Sequence, residues 1–306
     1  MSSFINVEEA TEERCCASCG TAEVDDVKLK KCDGCDLVRY CSDDCREDHR
    51  PEHEAMCKER AAKFRDEFLF KQPESTHLGD CPICFLPLSI NMEENMLQTC
   101  CSKYICNGCS FAYKLRQLQG NIQFSCPFCR HPLPITQEET NANMMKRVAA
   151  NDPVALCEFA KELCNNGDYD GTFKYFTRAA ELGDADAHYV LFFMYRDGDG
   201  VQKDEKKELY HLEEAAIGGN PYARHKIGCR EGINGKNERA VKHFIIAANL
   251  GDDDSIQMLK EYYRDGDIRK EDFAAALRAH HAAIEATKSP QRAAAAKYYD
   301  NFFPSF

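Results

Sequence analysis

Apolar residues follow two regimes along this chain, with helical spacing dominating only after residue 151. Ala61, Phe64, Phe68 and Leu69 fall at helical intervals among charged residues, so Lys58 to Lys71 reads as one amphipathic helix with its phenylalanines packed on a neighbour. Pro73 to Gly79 then reads as a linker. Thr136 and Glu139 form a capping box, which predicts a helix carrying Met144, Met145 and Val148 inward and ending near Ala150. From Asp152 a repeat sets in. Ala179-Ala180-Glu181-Leu182-Gly183-Asp184 recurs at Ala215 and Ala247, 36 and then 32 residues apart, with a weaker copy at Ala282. Paired alanines allow close helix packing, glycine stops a helix, and the following Asp or Asn caps the next one. Asp152-Pro153 and Asn220-Pro221 add proline at the first helical position. Helix pairs at this period stack as a solenoid. Four pairs span 152–288, and Ser289-Pro290 opens a terminal capping helix within 289–306.

The 19 cysteines change the picture before residue 130, because they come as close pairs. Such clustering, with no apolar signal segment in the acidic stretch 1–14, predicts metal ligation in a reducing, intracellular compartment, cytoplasmic or nuclear. Residues 1–14 read as a disordered lead-in. No apolar run is long enough to span a membrane. The formal charge is -12. With about fifteen ligand thiolates and about four zinc ions the loaded protein would gain roughly seven more negative charges. That balance opposes nucleic acid as a partner.

In residues 15–57 the pairs are Cys16/Cys19, Cys32/Cys35, Cys41/Cys45 and His53/Cys57, the last two at spacings that suit ligands one turn apart on short helices. Cys15 is left over, and His49 competes with His53 but lacks its spacing to Cys57, so it reads as a surface histidine. With Tyr40-Cys41-Ser42, this cassette resembles a MYND zinc finger, a protein-binding module. The resemblance implies one zinc on Cys16, Cys19, Cys41 and Cys45 and another on Cys32, Cys35, His53 and Cys57. Two positions depart from the family. Its usual glutamine is Arg46, and its usual tryptophan is Arg50 in a chain with no tryptophan at all.

In residues 80–132 the pairs are Cys81/Cys84, Cys100/Cys101, Cys106/Cys109 and Cys126/Cys129. Adjacent cysteines on one ion need a bent backbone, so either both Cys100 and Cys101 ligate or one is a bystander. This stretch resembles an all-cysteine RING finger, although Lys103 stands where most members have histidine. The resemblance implies one zinc on Cys81, Cys84, Cys106 and Cys109 and a second on Cys100, Cys101, Cys126 and Cys129. It also implies contacts to a ubiquitin-conjugating enzyme and ubiquitin through Ile83, Leu115, Pro127 and Arg130. Shielding of the thiolates by Ile83 and Pro127 is the competing role.

The repeats resemble Sel-one-like repeats, relatives of tetratricopeptide repeats. The expected fold is therefore multidomain, with two small zinc-stapled α+β fingers followed by an all-α helical-repeat solenoid. Its parts are the lead-in, the finger at 15–57, a helical linker at 58–79, the finger at 80–132, a capped connecting helix at 133–151, the repeats and the terminal helix. No arrangement of nucleophile, base and orienting acid stands out. Two functions follow. A RING-type ubiquitin ligase would orient a charged conjugating enzyme toward a client held by the repeats, by proximity and with no covalent intermediate. The alternative is a non-catalytic zinc-finger and solenoid adaptor. A MYND-type methyltransferase would need a cofactor domain that the repeats leave no room for. Asp197 to Gly200 reads as a turn rather than a calcium loop, and Cys157, Cys164 and Cys229 read as core or incidental thiols.

Overall fold

The computed structural model describes residues 15–24, 28–33, 35 and 38–302, so the lead-in expected at 1–14 lies outside the described residues. The chain divides into two compact units, one ending at Leu69 and one beginning at Phe70.

In the first unit, strands β1 (Lys30–Lys31) and β2 (Arg39–Tyr40) pair antiparallel and are followed by helix α1 (Asp43–Leu69). Its small core is built around Cys16, Leu29, Cys32, Cys35 and Tyr40. The sequence predicts short ligand-bearing helices and a separate linker helix. Instead one helix of 27 residues carries Cys45, His53 and Cys57 and continues through Pro51, giving up one main-chain hydrogen bond. Asp43 and Asp44 in its first turn favour its start through the helix dipole. Phe64 and Phe68 are 36% and 53% exposed and lie with their ring centroids 5.6 Å apart, so they are only partly enclosed rather than core residues.

The second unit opens with Phe70, whose ring lies on His243 at 4.6 Å and beneath the Arg239 guanidinium at 4.7 Å. A 3-10 turn (Met92–Glu94) leads into a hairpin of β3 (Asn95–Gln98) and β4 (Lys103–Cys106), followed by α2 (Asn107–Gln119). The connecting helix is α3 (Gln137–Ala149), where Thr136 Oγ1 accepts the Glu139 amide and Glu139 returns to the Ile135 amide. Met144 packs into the first repeat core, whereas Met145 is 43% exposed; adjacent helical residues cannot share a face.

Four antiparallel pairs follow: α4 (Pro153–Asn165) with α5 (Tyr169–Glu181), α6 (Ala185–Asp197) with α7 (Glu205–Ile217), α8 (Pro221–Ile233) with α9 (Asn237–Asn249), and α10 (Asp253–Asp265) with α11 (Lys270–Ala286). Each pair starts on a cap. Asp152, Asp184, Asn220 and Asp252 accept the amides of Ala155, Ala187, Ala223 and Ser255. Gly183, Gly219 and Gly251 take the left-handed conformation just before three of those caps, which a β-carbon would strain. The paired alanines 179/180, 215/216 and 247/248 are all buried. Ala282 is exposed in the longer α11, so the weaker copy lacks their packing role.

The second cassette is not a free-standing domain beside these repeats. His77 donates its amide to Gly219 O (3.1 Å) and pairs through Nε2 with Asp186 (2.9 Å). Tyr104 OH donates to Glu158 (3.0 Å), Tyr222 OH to Ile90 O (3.2 Å), and Asn249 Nδ2 to Gln72 (3.0 Å). The terminal helix α12 (Pro290–Phe302) packs on α2, with Phe111 and Tyr298 rings 4.8 Å apart. The sequence reads it as a cap on the solenoid; in the fold Arg292 and Tyr298 reach carbonyls and an aromatic ring of the second cassette, and Arg292 also reaches Thr287 O.

Candidate metal centres

Three of the C-x-x-C pairs sit on the same local turn. In each, the residue after the second cysteine donates its amide back to the first: Gly20 to Cys16 (2.9 Å), Phe85 to Cys81 (2.8 Å) and Arg130 to Cys126 (2.9 Å). The first cysteine then donates to the next residue, at Thr21, Leu86 and His131. Closing the turn requires a positive φ at that fourth step, 76°, 56° and 62° respectively. Only the first site supplies glycine. Phe85 and Arg130 bear a cost of about 1–2 kcal/mol each and project outward.

The turns gather sixteen side chains into four sets whose ligand atoms lie within 4.8 Å of one another. In the first unit they are Cys16, Cys19, Cys41 and Cys45, and Cys32, Cys35, His53 and Cys57. In the second they are Cys81, Cys84, Cys106 and Cys109, and Cys100, Cys101, Cys126 and Cys129. Both members of the doublet enter the last set, Cys100 lying 3.3 Å from Cys129 and Cys101 3.9 Å from Cys126. Left-handed Ser102 supplies the bend. His49 stays out of the sets. It is half-buried, hydrogen-bonded to Tyr40 OH at 3.0 Å and stacked on His53 at 5.5 Å, a more enclosed place than the surface position expected.

The donor chemistry fits zinc. A tetrahedral shell with bonds of about 2.3 Å sets its sulfurs roughly 3.8 Å apart. The neighbouring thiols Cys19/Cys41, Cys32/Cys57, Cys41/Cys45 and Cys84/Cys106 stand 3.5, 3.6, 3.6 and 3.9 Å apart. The electrostatics agree. The hydrogen bond from Cys106 lowers Cys81 to about 4, outweighing its burial, while Cys106 itself is pushed far up by the Cys81 thiolate. Burial, reinforced by Cys32 and Cys35, raises Cys57 to about 12. Burial also resists ionisation of Cys16, yet the amides of Cys19, Cys41 and Ser18 bring it to about 6. Four thiolates this close repel one another, and a divalent cation reverses the penalty.

The remaining thiols are scattered. Cys15 and Cys164 are exposed, Cys157 is in the first repeat core, and Cys229 lies 3.4 Å from His225 Nε2. Among the residues expected to meet a partner, Ile83 is 38% and Leu115 42% exposed, Pro127 is half-buried, and Arg130 is exposed. Phe85, Leu118, Ile122 and Phe128 are also exposed; sequence spacing offers no sign of this, because exposure depends on what packs opposite. Nothing in the sequence pattern marks Arg292. Its Nη1 donates to Pro87 O (2.7 Å) and Thr287 O (2.7 Å), and its Nη2 to Leu86 O (3.2 Å).

Comparison with known proteins identifies residues 16–57 as a MYND finger and residues 166–184, 185–220 and 221–252 as Sel1 repeats. The chain therefore carries an N-terminal MYND-type finger and a C-terminal Sel1-repeat region. No curated protein matches it. Among solved structures it is similar to a Sel1 repeat protein from Oxalobacter formigenes, 22% identical with a TM-score of 0.44 over 57% of this chain and 52% of that one. It is also similar to c5321, a protective antigen of uropathogenic Escherichia coli strains displaying an SLR fold, 22% identical with a TM-score of 0.41 over 55% of this chain and 37% of that one. The chain thus spans about half of the first relative and over a third of the second. Among the described residues, no helix is long and apolar enough to cross a membrane.

Proposed function

We propose that the chain is a zinc-binding adaptor that joins proteins and performs no chemistry of its own. One observation supports this reading above the others. The starts of α6 and α8 are joined to the chain's own segment before and inside the second cassette, through His77 on Gly219 and Asp186 and Ile90 on Tyr222. Cassette and repeats therefore present one composite surface, which suits a protein that holds partners together. Zinc is the ion proposed for all four sets, one in each, with the sixteen side chains above as ligands. The MYND-type finger offers a further protein-binding surface. Reconstitution from purified parts is the test: one zinc-loaded chain should hold two different partners at once. If purified chain retains no partner, or all partners compete for one place, the adaptor reading fails.

A second reading, a RING-type ubiquitin ligase, is favoured by the exposure of Ile83, Leu115 and Arg130 on the cassette with interleaved thiol sets. In it Ile83 and Leu115 meet a conjugating enzyme, Pro127 shapes the turn, and the Arg130 fork hydrogen-bonds enzyme and ubiquitin together. A ubiquitin-charging assay separates the two. Chains built with any of a broad panel of conjugating enzymes, and lost in Ile83→Ala and Arg130→Ala, would establish the ligase.

A further inference from the structure

The second unit contains a groove of about 1270 Å³ between the Ser89–Met96 edge of the cassette, the α8 and α10 starts, and α11–α12. Small-molecule sites usually fall between roughly 300 and 1,000 Å³, so this one has room for a length of polypeptide. Its apolar lining comes from Ile90, Met96, Ile284 and Tyr299. Its charge is lopsided. The two lining cations are committed, Lys288 to Glu285 at 2.6 Å and Arg292 to the carbonyls of Leu86, Pro87 and Thr287. Asp253 is paired with His280 at 2.9 Å. Exposed Glu93, Glu94 and Asp254 line the groove with no ion pair among the described residues. A cleft bordered by uncompensated carboxylates focuses a negative potential on whatever enters it.

We infer that this groove is a docking site for a short basic segment of a partner protein, in which Lys or Arg residues flank one or two apolar side chains. The apolar side chains lie against Ile90, Met96, Ile284 and Tyr299, and the cations meet Glu93, Glu94 and Asp254. The inference rests on the adaptor reading and names the partner class for one of its surfaces. Nucleic acid and anionic membrane are disfavoured by the same charge.

The test is selection of a random heptapeptide library on phage against the full-length zinc-loaded chain, followed by titration of the recovered consensus as a labelled peptide. The expected consensus is basic with an apolar centre. Its affinity should fall roughly tenfold or more in the triple reversal Glu93→Lys/Glu94→Lys/Asp254→Lys. A comparable loss is expected in Ala296→Trp, which fills the groove from an exposed position on α12. The reversal Glu162→Lys/Asp170→Lys/Glu181→Lys makes the same change in net charge on exposed residues outside the groove and should change affinity less than about twofold. A basic consensus that binds the groove variants as tightly as the parent overturns the assignment. So does a non-basic consensus, which would leave the adaptor role standing on another surface. Failure to recover any consensus overturns the groove, and the reconstitution experiment then decides the adaptor role separately.

Discussion

Arg292→Ala should loosen the docking of α12 on the second cassette without unfolding the repeats. Of the three carbonyls that Arg292 reaches, Thr287 O belongs to the approach to its own helix, while Leu86 O and Pro87 O lie across the interface. Hydrogen bonds from a charged donor contribute about 1.5–3 kcal/mol each, and the bonds of a half-buried side chain fall at the low end because water can reach the freed acceptors. Two such bonds give about 3 kcal/mol, and a weaker third from Nη2 to Cys84 Sγ at 3.7 Å adds to them, so the docking equilibrium should shift by a factor of roughly 100 or more. The Phe111–Tyr298 contact remains, so α12 should still dock most of the time. Hydrogen exchange reads this directly. Amides from Ala293 to Tyr299 should exchange about 100-fold faster or more while those of α5 and α8 keep their protection. Arg292→Lys keeps the charge but not the fork and should lie between. If the α12 amides of both variants exchange at the parent rate, the latch is not what holds the helix. A uniform rise across the repeats would also refute the reasoning, since it would mean the second unit opens only as a whole.

Adjacent repeats should respond to pH with opposite signs. His225 is raised to about 9: burial opposes its charge, but its hydrogen bonds to Asp252 and Cys229 prevail. Its contribution is complete below about pH 6.5 and should disappear as pH rises toward 9, costing the α8–α10 region roughly 1–3 kcal/mol. His211 is lowered to about 4 by burial and by His188, 2.9 Å away. Its contribution is complete above about pH 6.5 and should be lost on acidification toward 4. Site-resolved exchange at pH 5, 7 and 9 checks both, and His225→Gln should flatten only the alkaline limb. Native mass measurement should find four zinc ions, falling to three in Cys81→Ala; a parent value of two would mean that two of the sets hold no metal. Phe176→Ala, at a fully enclosed ring in the first repeat core, should cost about 3–5 kcal/mol in denaturant unfolding, and a loss under 1 kcal/mol would count against that core.

The sequence by itself determined what is local. Ligand pairs, alanine pairs, caps and stop glycines each act within a few residues, so their spacing carried the repeat boundaries and placed sixteen side chains in pairs. Even there, helix growth overrode the reading at α1, because nothing between Cys57 and Ala61 breaks a helix already nucleated at Asp43. Tertiary structure decided the rest. That the second cassette docks on the repeats depends on His77 meeting Asp186 and Arg292 meeting Leu86, residues over a hundred positions apart in a chain that gives them no shared period. Whether a face binds a client or the chain itself depends on which surfaces fit each other once folded. Spacing is blind to that, since complementarity belongs to pairs of surfaces.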